Sequence, residues 1–393
     1  MARRSMLRLV PLVAVLATLV LPVGTAGAQT TYEVEVGRFL EGAPAESQRF
    51  LPWRIDVHQG DTLHFSSQSF HTATFLPVGE GPVAWFEDLA TLGTSQPYAL
   101  VQPDPDDGPT SYKFGLGAFF PSDQTCGAPG LPACSFAGSS VVNSGVPLDA
   151  PLDFSVQVNA GAGSSFYVVC IVHGPDMRLR VDVVASGTPA SDPGDLADAV
   201  DAAVEQDTDS ALALHARFSG ARSSHVRPDG TRVWDAWAGV DNGHVALLAM
   251  YPQRLRIGVG DRVQWHFDSL TYEDHTVTFP IDRARAIAAG VGVPACDPDG
   301  DAGPGPDAPP DLAEPPFCSD PTQLELELHD RFVPPAGNGV FLGRDLESSG
   351  VLGANSPLGD GNYVLRFPRA STDGPFKYLC LIHPFMRGKV VVG

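Results

Sequence analysis

Basic residues are scarce in this chain. Lys and Arg number 25 against 46 Asp and Glu, giving a formal charge of −21. So acidic a chain has no electrostatic footing on a phosphate backbone, which argues against non-specific nucleic-acid binding. Long apolar runs are missing too, apart from Leu9 to Val20. Arg3, Arg4 and Arg8 accompany that run and Ala26-Gly27-Ala28 follows it, so residues 1–28 read as a signal peptide cleaved after Ala28. The run is short for a spanning helix, no stop-transfer pattern follows and no Cys sits near the cleavage site. The expected mature protein is secreted or extracytoplasmic, without a membrane anchor. Loss of the three leader arginines leaves a charge of −24, which suits solubility and could also steer a basic partner. No P-loop, nucleophile elbow or dinucleotide fingerprint is present. Methionine is rare: only Met177, Met250 and Met386 lie beyond the leader.

Glycine (41) and proline (36) are abundant, which fits many short strands and long loops better than long helices. At roughly 100–200 residues per domain, 393 residues allow two or three domains. An internal repeat decides between them. Residues 50–65 match 250–265, with Pro52/Pro252, Arg54/Arg254, Gly60/Gly260 and Asp61/Asp261 in register and apolar residues alternating between. Each copy reads as strand, Gly-Asp turn, strand. Each then reaches a His-Thr pair, His71-Thr72 and His275-Thr276, the second after a loop four residues longer. Each closes on a Cys-x-x-His run, Tyr167 to His173 and Tyr378 to His383, followed by a β-rich tail. Two copies of so long a period indicate paired domains, at about 30–186 and 217–393, rather than a solenoid. Between them, Asp192-Pro193 reads as a cap and first helical position, and Leu196, Val200 and Val204 follow at helical spacing. A short amphipathic helix is expected in the 187–216 linker, packed against one domain. The fold class read from these features is all-β: two domains joined by a short helical linker.

Six cysteines divide into three pairs. Cys126 and Cys134 enclose a short Gly/Pro segment, and Cys296 and Cys318 an Asp/Pro/Gly-rich one. In an oxidising compartment each pair is read as a disulfide closing a long loop. Cys170 and Cys380 remain, one per repeat, each tied to its own motif.

Those motifs are Cys170-x-x-His173-x-x-x-Met177 and Cys380-x-x-His383-x-x-Met386, with His71 and His275 upstream. Thiolate, two imidazoles and a thioether form the soft set that suits copper. Two His and one Cys in a plane with a weak axial Met is the electron-transfer copper arrangement. Two of the three Met beyond the leader fall at the axial position, whereas Met250 aligns with Phe50 and is assigned to the core.

The pattern resembles the plastocyanin, amicyanin and pseudoazurin family of cupredoxins, and Cys380-Leu381-Ile382-His383-Pro384-Phe385-Met386 is especially similar to the amicyanin ligand loop. The resemblance covers the ligand-bearing strands, about half the mature chain. It implies that the two domains are cupredoxin-like Greek-key β-sandwiches joined by the short helical linker, with one type 1 copper held by His71, Cys170, His173 and Met177 and a second held by His275, Cys380, His383 and Met386. Two departures stand out. The intervals from His to Cys are long, implying insertions around 80–150 and 283–360. Thr72 and Thr276 stand where many relatives have Asn, which helps hold the ligand loop and the Cys sulfur. A threonine offers a backbone N–H and a hydroxyl for the same task.

Two-domain relatives include copper enzymes, and their markers are missing. Val169 and Leu379 precede the two Cys, where copper nitrite reductases carry a second-site His. None of the eleven His forms a His-x-His pair, which multicopper oxidases need. His58, His64 and His266 read as ordinary strand residues, and Asp297-Pro298-Asp299-Gly300-Asp301 as a solvated loop rather than a calcium site. The expectation is a non-enzymatic one-electron carrier with two coppers and a redox partner protein. That partner would dock on Ile171, Val172, Pro384 and Phe385, of which Pro384 and Phe385 read equally as plain loop packing. The alternatives are copper storage or delivery, or an extracellular interaction module. An oxidase or reductase is disfavoured.

Overall fold

The computed structural model describes residues 29–89, 96–104, 111–147, 151–267, 270, 272–290, 293–296, 324–353, 356 and 361–393. The leader, the Asp-rich stretch 297–301 and Cys318 fall outside the described residues, and with them the expected Cys296–Cys318 bridge. Among the described residues no helix is long and apolar enough to cross a membrane.

Alternating apolar residues build the strands. In Thr62–Ser67, Leu63 and Phe65 are fully buried while Thr62, His64 and Ser66 are partly exposed. Such strands need a second sheet against their apolar face. In the first sandwich the facing sheet runs Arg54–His58, Gly174–Val184, Ser165–Cys170, Thr74–Phe75, Val142–Asn143. In the second it runs Arg254–Ile257, Arg387–Val392, Phe376–Leu379, Thr278–Phe279, Glu347–Ser348, the same order. Phe50, Phe65, Phe75, Phe136 and Phe166 fill one core. Trp265, Phe279, Phe341, Phe367 and Tyr378 fill the other, with Trp265 Nε1 donating to Tyr378 Oη at 3.1 Å so that the buried indole N–H is satisfied.

The remaining sheets of the two sandwiches are one. Strand Val245–Tyr251 pairs antiparallel with Ala45–Leu51, with Ala246 opposite Glu46, and this seam closes a ten-stranded sheet spanning both halves. The insertions merge as well: Val293–Cys296, Leu324–Leu328, Tyr112–Phe114 and Val101–Pro103 form a four-stranded sheet from both halves. Beneath it, Leu100, Phe114 and Phe119 of one insertion meet Ile287, Leu326 and Phe332 of the other, together with Ile171 and Leu381 from the two Cys-x-x-His loops.

The helix between the sandwiches differs from expectation in length and in partner. It runs Pro193–Ser219, 27 residues, and lies across the seam against both halves. Asp192 caps it, its side chain accepting from the N–H groups of Gly194 and Asp195. Its Ala211, Val204, Leu214 and Phe218 pack with Leu40 and Ala45 of one sandwich and Val245, Leu247 and Tyr251 of the other. The stripe was hard to read because a charged residue occupies it. Asp207 is buried, accepting from Ser47 Oγ at 2.6 Å and pairing with Arg49 at 3.0 Å.

Candidate metal centres

Each candidate centre is assembled at one end of its sandwich from a loop before a short strand and a turn after a longer one. In the first, His71 precedes Thr74–Phe75, and Cys170 ends Ser165–Cys170 at a register shift that turns the chain toward His173. His71, Cys170 and His173 are all buried. His71 Nδ1 and His173 Nδ1 lie 2.9 Å apart, and Cys170 Sγ lies 3.6 Å from the first and 3.3 Å from the second. A planar three-coordinate metal with bonds of ~2.0 Å to nitrogen and ~2.3 Å to sulfur would set these donors about 3.5–3.7 Å apart. The trio fits such a centre with slight expansion.

In the second centre the donor atoms of His275, Cys380 and His383 lie within 4.8 Å of one another, with Cys380 Sγ 3.9 Å from His383 Nδ1. His275 Nδ1 is buried with no hydrogen-bond partner among the described residues, a costly state that a bound metal would relieve. Met386 closes the loop through its backbone, donating to His383 O at 2.8 Å and accepting from the Cys380 N–H at 3.1 Å. Met177 and Met386 are buried in the same cores as Cys170 and Cys380 respectively.

Both thiols are primed to ionise. Burial alone would raise the Cys170 thiol, but the His173 imidazole, helped by His71, holds it well below the usual range. At Cys380 the His275 and His383 imidazoles likewise overcome burial and bring the thiol to about 5. Thiolates are the metal-binding form.

Thr72 and Thr276 perform the task suggested for them in sequence. The Thr72 N–H donates to Cys170 Sγ at 3.4 Å, and its hydroxyl accepts from the Ile171 N–H at 2.9 Å. Thr276 does the same for Cys380 Sγ at 3.3 Å and the Leu381 N–H at 2.7 Å. A Thr72→Val or Thr276→Val substitution keeps the shape and the N–H to sulfur but orphans a buried loop N–H. The expected loss is about 1–3 kcal/mol of stability with the thiolate centre retained, read by thermal unfolding beside metal content.

Several contributors escaped the sequence reading. Ser144 and Ser349 each accept the backbone N–H two residues after the upstream His, Ala73 at 2.9 Å and Val277 at 2.8 Å. The repeated Ser-Gly-Val at 144–146 and 349–351 was the available signal. Gly37 and Gly239, both at positive φ, let a bulged strand approach the imidazoles of His71 and His275. Glu46 Oε1 lies 2.7 Å from His71 Nε2, whereas Ala246 sits opposite it across the seam. Glu273, on the longer loop, reaches both His173 and His383.

The expected docking patch is divided. Ile171 is buried and Val172 half-buried under the merged insertions, because the two ligand loops face each other rather than solvent. Pro384 is exposed, and Phe385 is 58% exposed. A cavity of about 390 Å³ lies between the halves, with His173, Glu273 and His383 among mostly apolar walls that include Phe39, Phe114 and Leu381. Other His take local partners: His58 with Thr188 O, His64 with Glu33 and Asp153, His266 with Asp235. Cys126 and Cys134 form the expected disulfide.

A scan against known protein families finds no match, and a search of curated proteins finds none either. Among solved structures the chain is similar to a reduced Cu(I) form of an amicyanin variant at 20% identity, over 44% of this chain and 92% of that one, with a TM-score of 0.20. Auracyanin A, a blue copper protein from Chloroflexus aurantiacus, aligns at 18% identity over 39% of this chain and 98% of that one, with a TM-score of 0.19. The copper-containing nitrite reductase from Thermus scotoductus SA-01 aligns at 13% identity over 93% of this chain and 68% of that one, with a TM-score of 0.20. At these identities and TM-scores the metal assignment rests on the geometry of the chain itself: two thiol–bis-imidazole trios, buried but for the partly exposed His383, in an all-β, two-sandwich protein.

Proposed function

We propose that the protein binds two copper ions in mononuclear type 1 centres and transfers single electrons through them. The carrying observation is the trio of one thiol and two imidazoles, formed twice and buried but for the partly exposed His383, each with a threonine N–H directed at the sulfur. Such donors select copper, and Met177 and Met386, buried in the same cores, would add a thioether to each set. When bound, copper supplies a one-electron couple. The chain holds the donors in place in a packed core, so little movement need accompany a change of charge. External electrons would cross at Pro384 and Phe385 beside His383, whose side chain is 16% exposed against 5% for His173. The partner is a redox protein, and an acidic carrier suits a basic one.

Residues 1–28 belong to this reading as a cleaved signal peptide, and the Cys126–Cys134 disulfide supports an oxidising compartment. Storage or delivery is the poorer alternative, since both donor trios are enclosed rather than presented on the surface. The interdomain cavity favours a second reading, redox turnover of a small molecule beside His173 and His383. Reductive titration of the copper-loaded protein tests the carrier: two electron equivalents should bleach it and a chemical oxidant should restore it fully. Sustained turnover of nitrite or a phenol would instead favour the enzyme.

A further inference from the structure

We propose that Glu273 is a shared positioning residue that couples the two metal centres: one buried carboxylate holds His173 through one oxygen and His383 through the other, so that filling either centre changes the affinity of its neighbour. This rests on the metal-binding reading above. Glu273 Oε2 lies 2.8 Å from His173 Nε2, and Oε1 lies 3.1 Å from His383 Nε2. With each Nδ1 turned toward its cysteine, each Nε2 carries the proton and donates to the carboxylate, which fixes both ring orientations. The Glu273 side chain is 6% exposed, and Gln48 Nε2 donates to Oε2 at 3.2 Å.

The loop that delivers Glu273 is built for this contact. It is the segment four residues longer than its counterpart before His71. Tyr272 adopts φ 61°, uncommon for a bulky residue, and its ring covers Gly174, the residue after His173. A Cβ at Gly174 would stand 2.6 Å from that ring, so the ligand loop of the first sandwich is shaped to receive the loop of the second. The sharing is specific to the inward-facing histidines. His71 has its own carboxylate, Glu46, and the seam places Ala246 opposite it. The coupling is negative: a cation at one centre draws the single carboxylate charge toward its own histidine and leaves the other less supported.

Titration of the metal-free full chain with Co(II), followed by the thiolate charge-transfer bands, tests this without recourse to electron-transfer activity. The native chain should bind in two steps, and the second should be weaker by about fivefold or more than the one step of whichever single-centre chain, Cys170→Ser or Cys380→Ser, retains the centre that fills second. Glu273→Gln, close in shape, should weaken both centres by about 10–100-fold, abolish the difference between native second step and single-centre affinity, and raise the reduction potential of both copper centres. Glu46→Gln should move the first centre alone. If Glu273→Gln leaves both centres unchanged or shifts only one, the coupling is overturned while the metal reading stands. If neither centre of the native chain takes up metal, both fall.

Discussion

Replacing Cys170 with serine should leave a protein that binds one copper and keeps about half its blue absorbance. Cys380→Ser should do the same, and the double variant should be colourless. The intense visible band of such centres comes from charge transfer between thiolate and copper, and the buried free thiols of Cys170 and Cys380 are the sulfurs placed beside paired imidazoles to supply it. A serine hydroxyl stays protonated at neutral pH and is a hard donor, so the remaining imidazoles hold copper poorly. The substitution places a hydroxyl in a fully buried core position, where an unsatisfied polar group costs about 1–3 kcal/mol. The large sandwich cores should tolerate that. Metal analysis beside the visible spectrum reads the result, and full colour in either single variant would contradict the assignment of ligands.

The second large effect comes from two glycines outside the ligand motifs. Gly37→Ala should cripple the first centre alone, and Gly239→Ala the second alone. Gly37 has φ +69°, and a Cβ there would stand 2.0 Å from His71 Nε2 and 2.8 Å from Glu46 Oε1. Gly239 has φ +75°, with His275 Nε2 at 2.1 Å. The backbone conformation alone disfavours an L side chain by about 1–2 kcal/mol. The larger consequence is steric, because the imidazole must swing away from its donor trio to make room. Copper affinity at the matching centre should fall by about 10–100-fold, measured by competition with a chelator, with the other centre unchanged.

These glycines illustrate what was legible in the sequence. The strand pattern, both donor trios and the division into two sandwiches followed from local features: period-two alternation, Gly-Asp turns and Cys-x-x-His spacing. The role of Thr72 and Thr276 followed because both act on the neighbouring ligand loop. What was missed depends on how distant segments meet. Glu273 looks like any acidic loop residue until the seam between Val245–Tyr251 and Ala45–Leu51 turns the ligand loops toward each other. The merged insertions bury Ile171, which the sequence alone assigned to an exposed patch. The helix Pro193–Ser219 outran its apolar signal because Asp207, buried against Ser47 and Arg49, occupies part of its stripe. A pairing between strands of different sandwiches has no local signature, so the residues that act across it could not be singled out beforehand.

Copper content together with the visible absorption spectrum of the Cu(II)-loaded protein tests directly for two thiolate–copper centres per chain. Two coppers per chain with an intense thiolate-to-copper band is the predicted result. A loaded protein without that band, or one that takes up no copper, would contradict it.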